Sequence, residues 1–174
     1  MARLNAETVI DTALGIADDS GLDAVTLRRV ARRLGVTPMA LYRHVDDKDA
    51  LLDQMADRLY AELEPDPAGT DDWWQAIADL ARATRRVLLA HPWASPLFAR
   101  PLAGPNSHAV DEALRTHLTA AGFTPAETRE LHDQLTNMVF GLIAPEVHGK
   151  RNRAAFERGL EMLRAGLEAR RRGG

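Results

Sequence analysis

Four arginines, Arg28, Arg29, Arg32 and Arg33, crowd one short stretch of the chain, TLRRVARRLGVTPMALYRHVDDK from Thr26 to Lys48. With Arg43 and Lys48 they make six basic side chains against Asp46 and Asp47, a local net charge of +4. The whole chain carries −3, so everything outside this stretch sums to −7. A single basic patch on an acidic body turns one surface toward phosphate, where a uniformly basic protein would coat any polyanion. Charge alone leaves open a plainer alternative, an arginine-rich helix face that is merely solvated. Catalytic chemistry finds less support: the six histidines (His44, His91, His108, His117, His132, His148) form no H-E-x-x-H pair, and neither a G-x-S-x-G elbow nor a phosphate loop occurs. A helical enzyme therefore stays the remote alternative.

The elements that must carry those cations are two short helices and a tight turn. Thr26 is a natural N-cap, and Leu27, Val30, Ala31 and Leu34 then fall on one face, leaving the arginines on the opposite one. Gly35 accepts the left-handed conformation that stops the helix. Thr37 caps the next helix and Pro38 opens it with a preset φ, so a second helix is expected to about His44, anchored by Leu41 and closed by Val45. Thr37, Pro38, Met39, Ala40, Tyr42, Arg43 and His44 face elsewhere. A helix of this kind fits the major groove with its N-terminal residues against base edges, and the Gly-turn-Pro architecture raises the DNA-binding reading above the solvated face.

At 174 residues and 45% hydrophobic content the chain can bury a substantial core, in one domain or two small ones. It has no cysteine, which excludes disulfide scaffolds, thiolate zinc sites and thiol catalysis. The N-terminus has no apolar run of signal-peptide length and no later segment approaches a membrane span, so the expectation is a soluble cytoplasmic protein with no membrane partner, cofactor or metal.

Apolar residues recur at helical spacing almost throughout, which predicts an all-α fold. Helix 1 is expected from an Asn5 cap to Ser20, with Val9, Ala13, Ile16 and Ala17 inward and Gly21 ending it. Asp46 or Asp47 caps a helix striped with Leu51, Met55 and Leu59 toward Leu63. The run EPDPAGT, Glu64 to Thr70, is the clearest break and sets the expected organisation: residues 1–48 a three-helix helix-turn-helix domain, 49–64 a connecting helix, 65–174 a helical effector-binding and dimerisation domain. A long helix follows from about Asp71 to Ala90. The proline-rich residues 91–106 should be irregular apart from a turn near Leu97, with a helix from about Ser107 to Ala120 after them. Thr124-Pro125-Ala126-Glu127 is a capping box launching a helix to about Val147, and the last helix runs from about Asn152 to Arg170.

The last two helices carry matching seams, Leu131, Leu135, Met138 and Leu142 on one, Phe156, Leu160, Leu163 and Leu167 on the other, with Gly159 and Gly166 one heptad apart. They could simply pack together inside one subunit. The preferred expectation is a shared use, a four-helix bundle across a two-fold axis, because a symmetric dimer is what reads a palindrome.

With these residues laid out, the chain resembles the TetR family of bacterial regulators, and within it the tetracycline-repressor-like branch. The resemblance rests on TLRRVARRLGV, on ALYRHV, on DDKDALLDQM and, at the far end, on FERGLEMLRAGLE. It implies a probable repressor that binds a palindromic double-stranded DNA operator as a homodimer and is released by a small-molecule inducer. By position it implies phosphate contacts from Thr26 and Lys48, backbone contacts from Tyr42 and His44, a base-reading fork from Arg28, and groove-facing places for Thr37, Pro38, Met39 and Ala40. The order Thr-Pro-Met-Ala departs from the tetracycline repressor, so a different operator is expected. The resemblance also implies an effector pocket, for which Trp74, Arg85, His91, Trp93, Phe98, Asn137 and Phe140 are the candidate lining. Tetracycline and magnesium are not the expected occupants: HPWASPLFARP lacks the metal-binding histidine near Phe98, and Ala81 and Arg85 stand where drug-binding asparagine and phenylalanine belong. A dimeric DNA-binding regulator without an effector is the alternative.

Overall fold

Local signals set the helix ends. In the computed structural model, which describes residues 4–64, 72–101, 103–150 and 152–173, helix α1 (Ala6–Ser20) opens where the Asn5 side chain accepts the backbone N–H of Thr8 at 2.7 Å. A 3-10 turn (Leu22–Ala24) leads to α2 (Leu27–Leu34), whose first turn is closed by Thr26 Oγ1 accepting from Arg29 N at 3.1 Å. Gly35 ends α2 at φ 69°, a conformation that costs a residue with a Cβ, and Val36 N–H returns to the Ala31 carbonyl at 3.0 Å. Helix α3 (Pro38–Leu41) is a single turn. Asp47 caps α4 (Lys48–Ala61) by accepting from Ala50 N at 2.8 Å.

Helix α3 is shorter than expected. The helical pattern stops at Leu41, and residues 42–44 continue as turns in which His44 N and Val45 N both donate to the Leu41 carbonyl. Thr37 holds the N-cap position, yet its hydroxyl makes no capping bond. Leu41 and Val45 are buried as expected, with Val9, Ile16, Val30, Leu51, Met55 and Leu59 around the same core.

The second half continues with α5 (Trp73–Ala90), a 3-10 turn (Pro92–Ala94), α6 (Ser95–Phe98), α7 (Pro105–Ala120), α8 (Pro125–Val147) and α9 (Arg153–Gly173). The capping box forms: Thr124 Oγ1 accepts from Glu127 N, and Glu127 accepts from Thr124 N. No strand occurs among the described residues. The break at residues 65–71, and with it the expected start of the long helix at Asp71, lies outside them.

The chain divides into two compact units, Met1–Glu62 with Trp93–His108, and Leu63–Pro92 with Ala109–Gly174. Residues 93–108 and the connecting helix α4 thus fall in the first unit, where the expected division ran at residues 48 and 64. Polar ties explain why. Trp93 Nε1 donates to Asp18 at 2.7 Å, Arg100 Nε to Asp53 at 2.7 Å, and Asp57 takes both Asn106 Nδ2 at 2.8 Å and Ser107 N at 2.9 Å, capping the first turn of α7 from α4. Phe98 lies against the Tyr60 ring at 4.6 Å between centroids.

The second unit is a helical bundle with Trp74, Ile77, Leu118, Leu135, Ile143, Phe156 and Leu160 in its core. Two arginines of α5 bind its neighbours: Arg85 forks onto Glu146 of α8 at 2.8 and 2.7 Å, and Arg82 reaches Glu157 of α9 at 2.9 Å. Helices α8 and α9 approach closely at Gly159, where a Cβ would overlap the Leu142 side chain.

Candidate nucleic-acid interface

The arginine face of α2 is split by its neighbours. Arg33 Nη1 binds Asp19 at 2.6 Å and Arg29 Nη2 donates to Ser20 Oγ at 2.7 Å, so these two cations fasten α2 to the end of α1. Arg28 and Arg32 lie exposed on the other edge, and among the described residues neither they nor Arg43 nor Lys48 makes an ion pair. The sequence reading turned all four arginines outward; Arg28, Arg32 and Arg33 are exposed and Arg29 is half-buried. Asp18, Asp19 and Ser20 were missed as positioning residues. A signal was available: two carboxylates in the last turn of a helix sit at the negative end of its dipole and call for donors from elsewhere.

Around the free cations the expected contact residues are displayed unevenly. Thr26 is exposed, with its hydroxyl already capping α2. Thr37, Pro38 and Lys48 are exposed, Ala40 and His44 half-buried, Tyr42 is 49% exposed and Met39 74%. Leu41 sets this display. Its side chain is fully buried, and at about 100° per residue Met39 falls roughly opposite it, on the outward side of α3. The arrangement can neutralise phosphates with Lys48, Arg32 and Arg43, place Tyr42 against a backbone, and offer Arg28 and Met39 to base edges.

The residues proposed for an effector differ in burial and in their partners within each unit. Arg85 is committed to Glu146, which is 4% exposed, and its guanidinium lies 5.4 Å from the centre of the Phe156 ring. The carboxylate bond keeps Arg85 more firmly protonated than an ordinary arginine, against the smaller opposing effect of burial. Trp74 is core of the second unit, Trp93 and Phe98 pack within the first, Asn137 is exposed, and His91 and Phe140 are half-buried.

The residues of the expected dimer seam divide between core and surface. Leu131, Leu135, Phe156, Leu160 and Leu167 are buried within their own subunit and have little surface left for a partner. Gly159 serves the intrasubunit contact with Leu142, while Leu142 and Leu163 are half-buried. What α8 and α9 turn outward includes Met138 of that seam at 52% exposure and Gly166, together with Met162 at 77%, Gly141 and Ala165.

A helix-turn-helix presented with free cations, in a chain that is otherwise a helical bundle, defines the class of helical DNA-reading regulators. Residues 9–55 match the family described as bacterial regulatory proteins, tetR family, and residues 64–153 match the tetracyclin repressor-like C-terminal domain, so the chain belongs to the tetR family. Membership in a family of regulatory proteins leaves the enzyme alternative without support. The class A tetracycline repressor protein from transposon 1721 of Escherichia coli is 33% identical over 180 residues, covering 97% of this chain and 82% of that relative. Other curated relatives are longer, and the chain spans 61% and 47% of two of them. Among solved structures, Mycobacterium smegmatis BioQ is 31% identical with a TM-score of 0.84, covering 96% of this chain and 99% of that one. BioQ with its natural double-stranded DNA operator is 32% identical at a TM-score of 0.80, with the same coverage. ActR of Streptomyces coelicolor in complex with actinorhodin is 27% identical at 0.84, covering 97% of each chain. No helix among the described residues is long and apolar enough to cross a membrane.

Proposed function

We propose that this chain is a ligand-responsive transcriptional regulator, a repressor that binds a palindromic operator as a homodimer in the cytoplasm and is released by a small-molecule inducer. The observation that carries the DNA-binding part is the split of the arginine face: Arg29 and Arg33 bind the end of α1, while Arg28, Arg32, Arg43 and Lys48 are exposed and make no ion pair among the described residues. In this reading Arg28 reads a base, Thr37, Pro38, Met39 and Ala40 line the groove, and Thr26, Tyr42, His44 and Lys48 contact the sugar-phosphate backbone. The structure of BioQ with its operator supports the same use of the fold. The outward stripe of α8 and α9 supplies the dimer contact, since methionines and small residues let helices of two copies pack closely.

The inducer part draws support from ActR with actinorhodin, a related fold holding a small molecule. An inducer acts only through its differential affinity for the form that does not bind DNA. The engagement of Arg85, Trp93 and Phe98 with their own chain favours a second reading, a dimeric regulator without an effector. Selection of bound sequences from a random duplex pool tests the first part. A palindrome with two half-sites about one helical turn apart is expected, and recovery of no consensus would overturn it. A compound library screened for release of the selected operator then separates the two readings.

A further inference from the structure

We infer that Met39 reads the 5-methyl group of one thymine in each operator half-site, an inference that rests on the DNA-binding reading above. A lone exposed methionine is ordinary on a protein surface. This one differs in its seat. Pro38 presets the first turn of α3, and the fully buried Leu41 fixes the rotation of that turn, so Met39 projects outward at 74% exposure. It is the one large apolar side chain among the exposed residues of 26–48 apart from the amphipathic Tyr42, in a stretch whose exposed cations Arg28, Arg32, Arg43 and Lys48 suit a polyanion. The edges a duplex offers in the major groove are hydrogen-bond donors and acceptors, with a single apolar exception, the thymine methyl. A polar edge would gain nothing from a thioether and would lose its water. An unbranched, polarizable side chain with three free torsions can instead lie along a methyl group and remove it from water. The half-buried Ala40 beside it, with only a methyl side chain, leaves room for that approach.

The test uses the full chain and its selected operator, synthesised with each thymine replaced in turn by uracil, which deletes the methyl and leaves every hydrogen-bonding group in place. Binding is measured at one fixed salt concentration for the protein and for Met39→Ala. One thymine per half-site, at symmetry-related positions, should be sensitive: its replacement weakens binding about fourfold in one half-site and roughly fifteenfold in both. Met39→Ala should bind the thymine and uracil operators equally. Tolerance of uracil at every position by the unsubstituted protein, or the same loss in Met39→Ala, overturns the inference and leaves operator binding intact. Failure of the unsubstituted protein to select any sequence overturns the DNA-binding reading as well. The uracil series on the unsubstituted protein does not depend on how the variant folds.

Discussion

Single side chains divide the arginines of α2 into those that fasten it to α1 and those left without such a tie. Arg29 and Arg33 find Ser20 and Asp19 within 2.7 and 2.6 Å, and Arg28 and Arg32 do not pair among the described residues. Replacing Arg28 by Ala should cost about 1–3 kcal/mol of operator binding and relax preference at one base pair, as loss of a forked base contact requires. Equal losses on operator and on random duplex would instead assign Arg28 to phosphate. Lys48, exposed at the start of α4, should behave in the second manner: Lys48→Ala weakens every duplex alike and lowers the slope of log K against log salt by about one. Titrations at three salt concentrations distinguish the two residues.

Between helices, the ties that matter are ionic forks from α5. Glu157 is held below the ordinary carboxylate value of 4.5, first by the hydrogen bond from Arg82 and then by its charge, against an opposing cost of burial. A carboxyl whose folded value is depressed contributes its full stabilisation above the ordinary range and loses it as pH falls through the folded value. Glu157→Gln should therefore flatten the acid limb of the stability curve, with the urea midpoints of the two proteins diverging at neutral pH and converging as pH falls through the depressed folded value. A constant gap across that range would show that Glu157 acts by packing rather than by charge. The Arg85–Glu146 fork is more deeply placed, because a nearly buried carboxylate needs its cation.

At the scale of the proposed dimer, the outward stripe of α8 and α9 would decide whether two heads share one duplex. Met138→Arg together with Met162→Arg places charge on that stripe without entering the core, so each subunit should keep its helical circular dichroism while light scattering reports monomers. Such monomers should bind a half-site at most, because a palindrome is read by two heads about one helical turn apart. Dimers surviving both substitutions would move the interface to another face.

The helix-turn-helix, the all-α fold, and the caps at Asn5, Thr26 and Thr124 were legible in the residues, because a helix is specified by neighbours three and four positions apart and a cap by the first turn alone. Charge sorting was legible for the same reason, being a property of position along the chain. Three things were not: that α3 stops at Leu41, that residues 93–108 join the first unit through Asp18, Asp53 and Asp57, and that Leu131, Leu135, Phe156, Leu160 and Leu167 face inward. A helical period marks which residues share a stripe but not which partner covers it, and a charged group's partner can lie 47 or 75 residues away, as Asp53 does from Arg100 and Asp18 from Trp93. Only packing in three dimensions brings such pairs within hydrogen-bond distance, and only then is it decided which cations stay exposed and unpaired among the described residues.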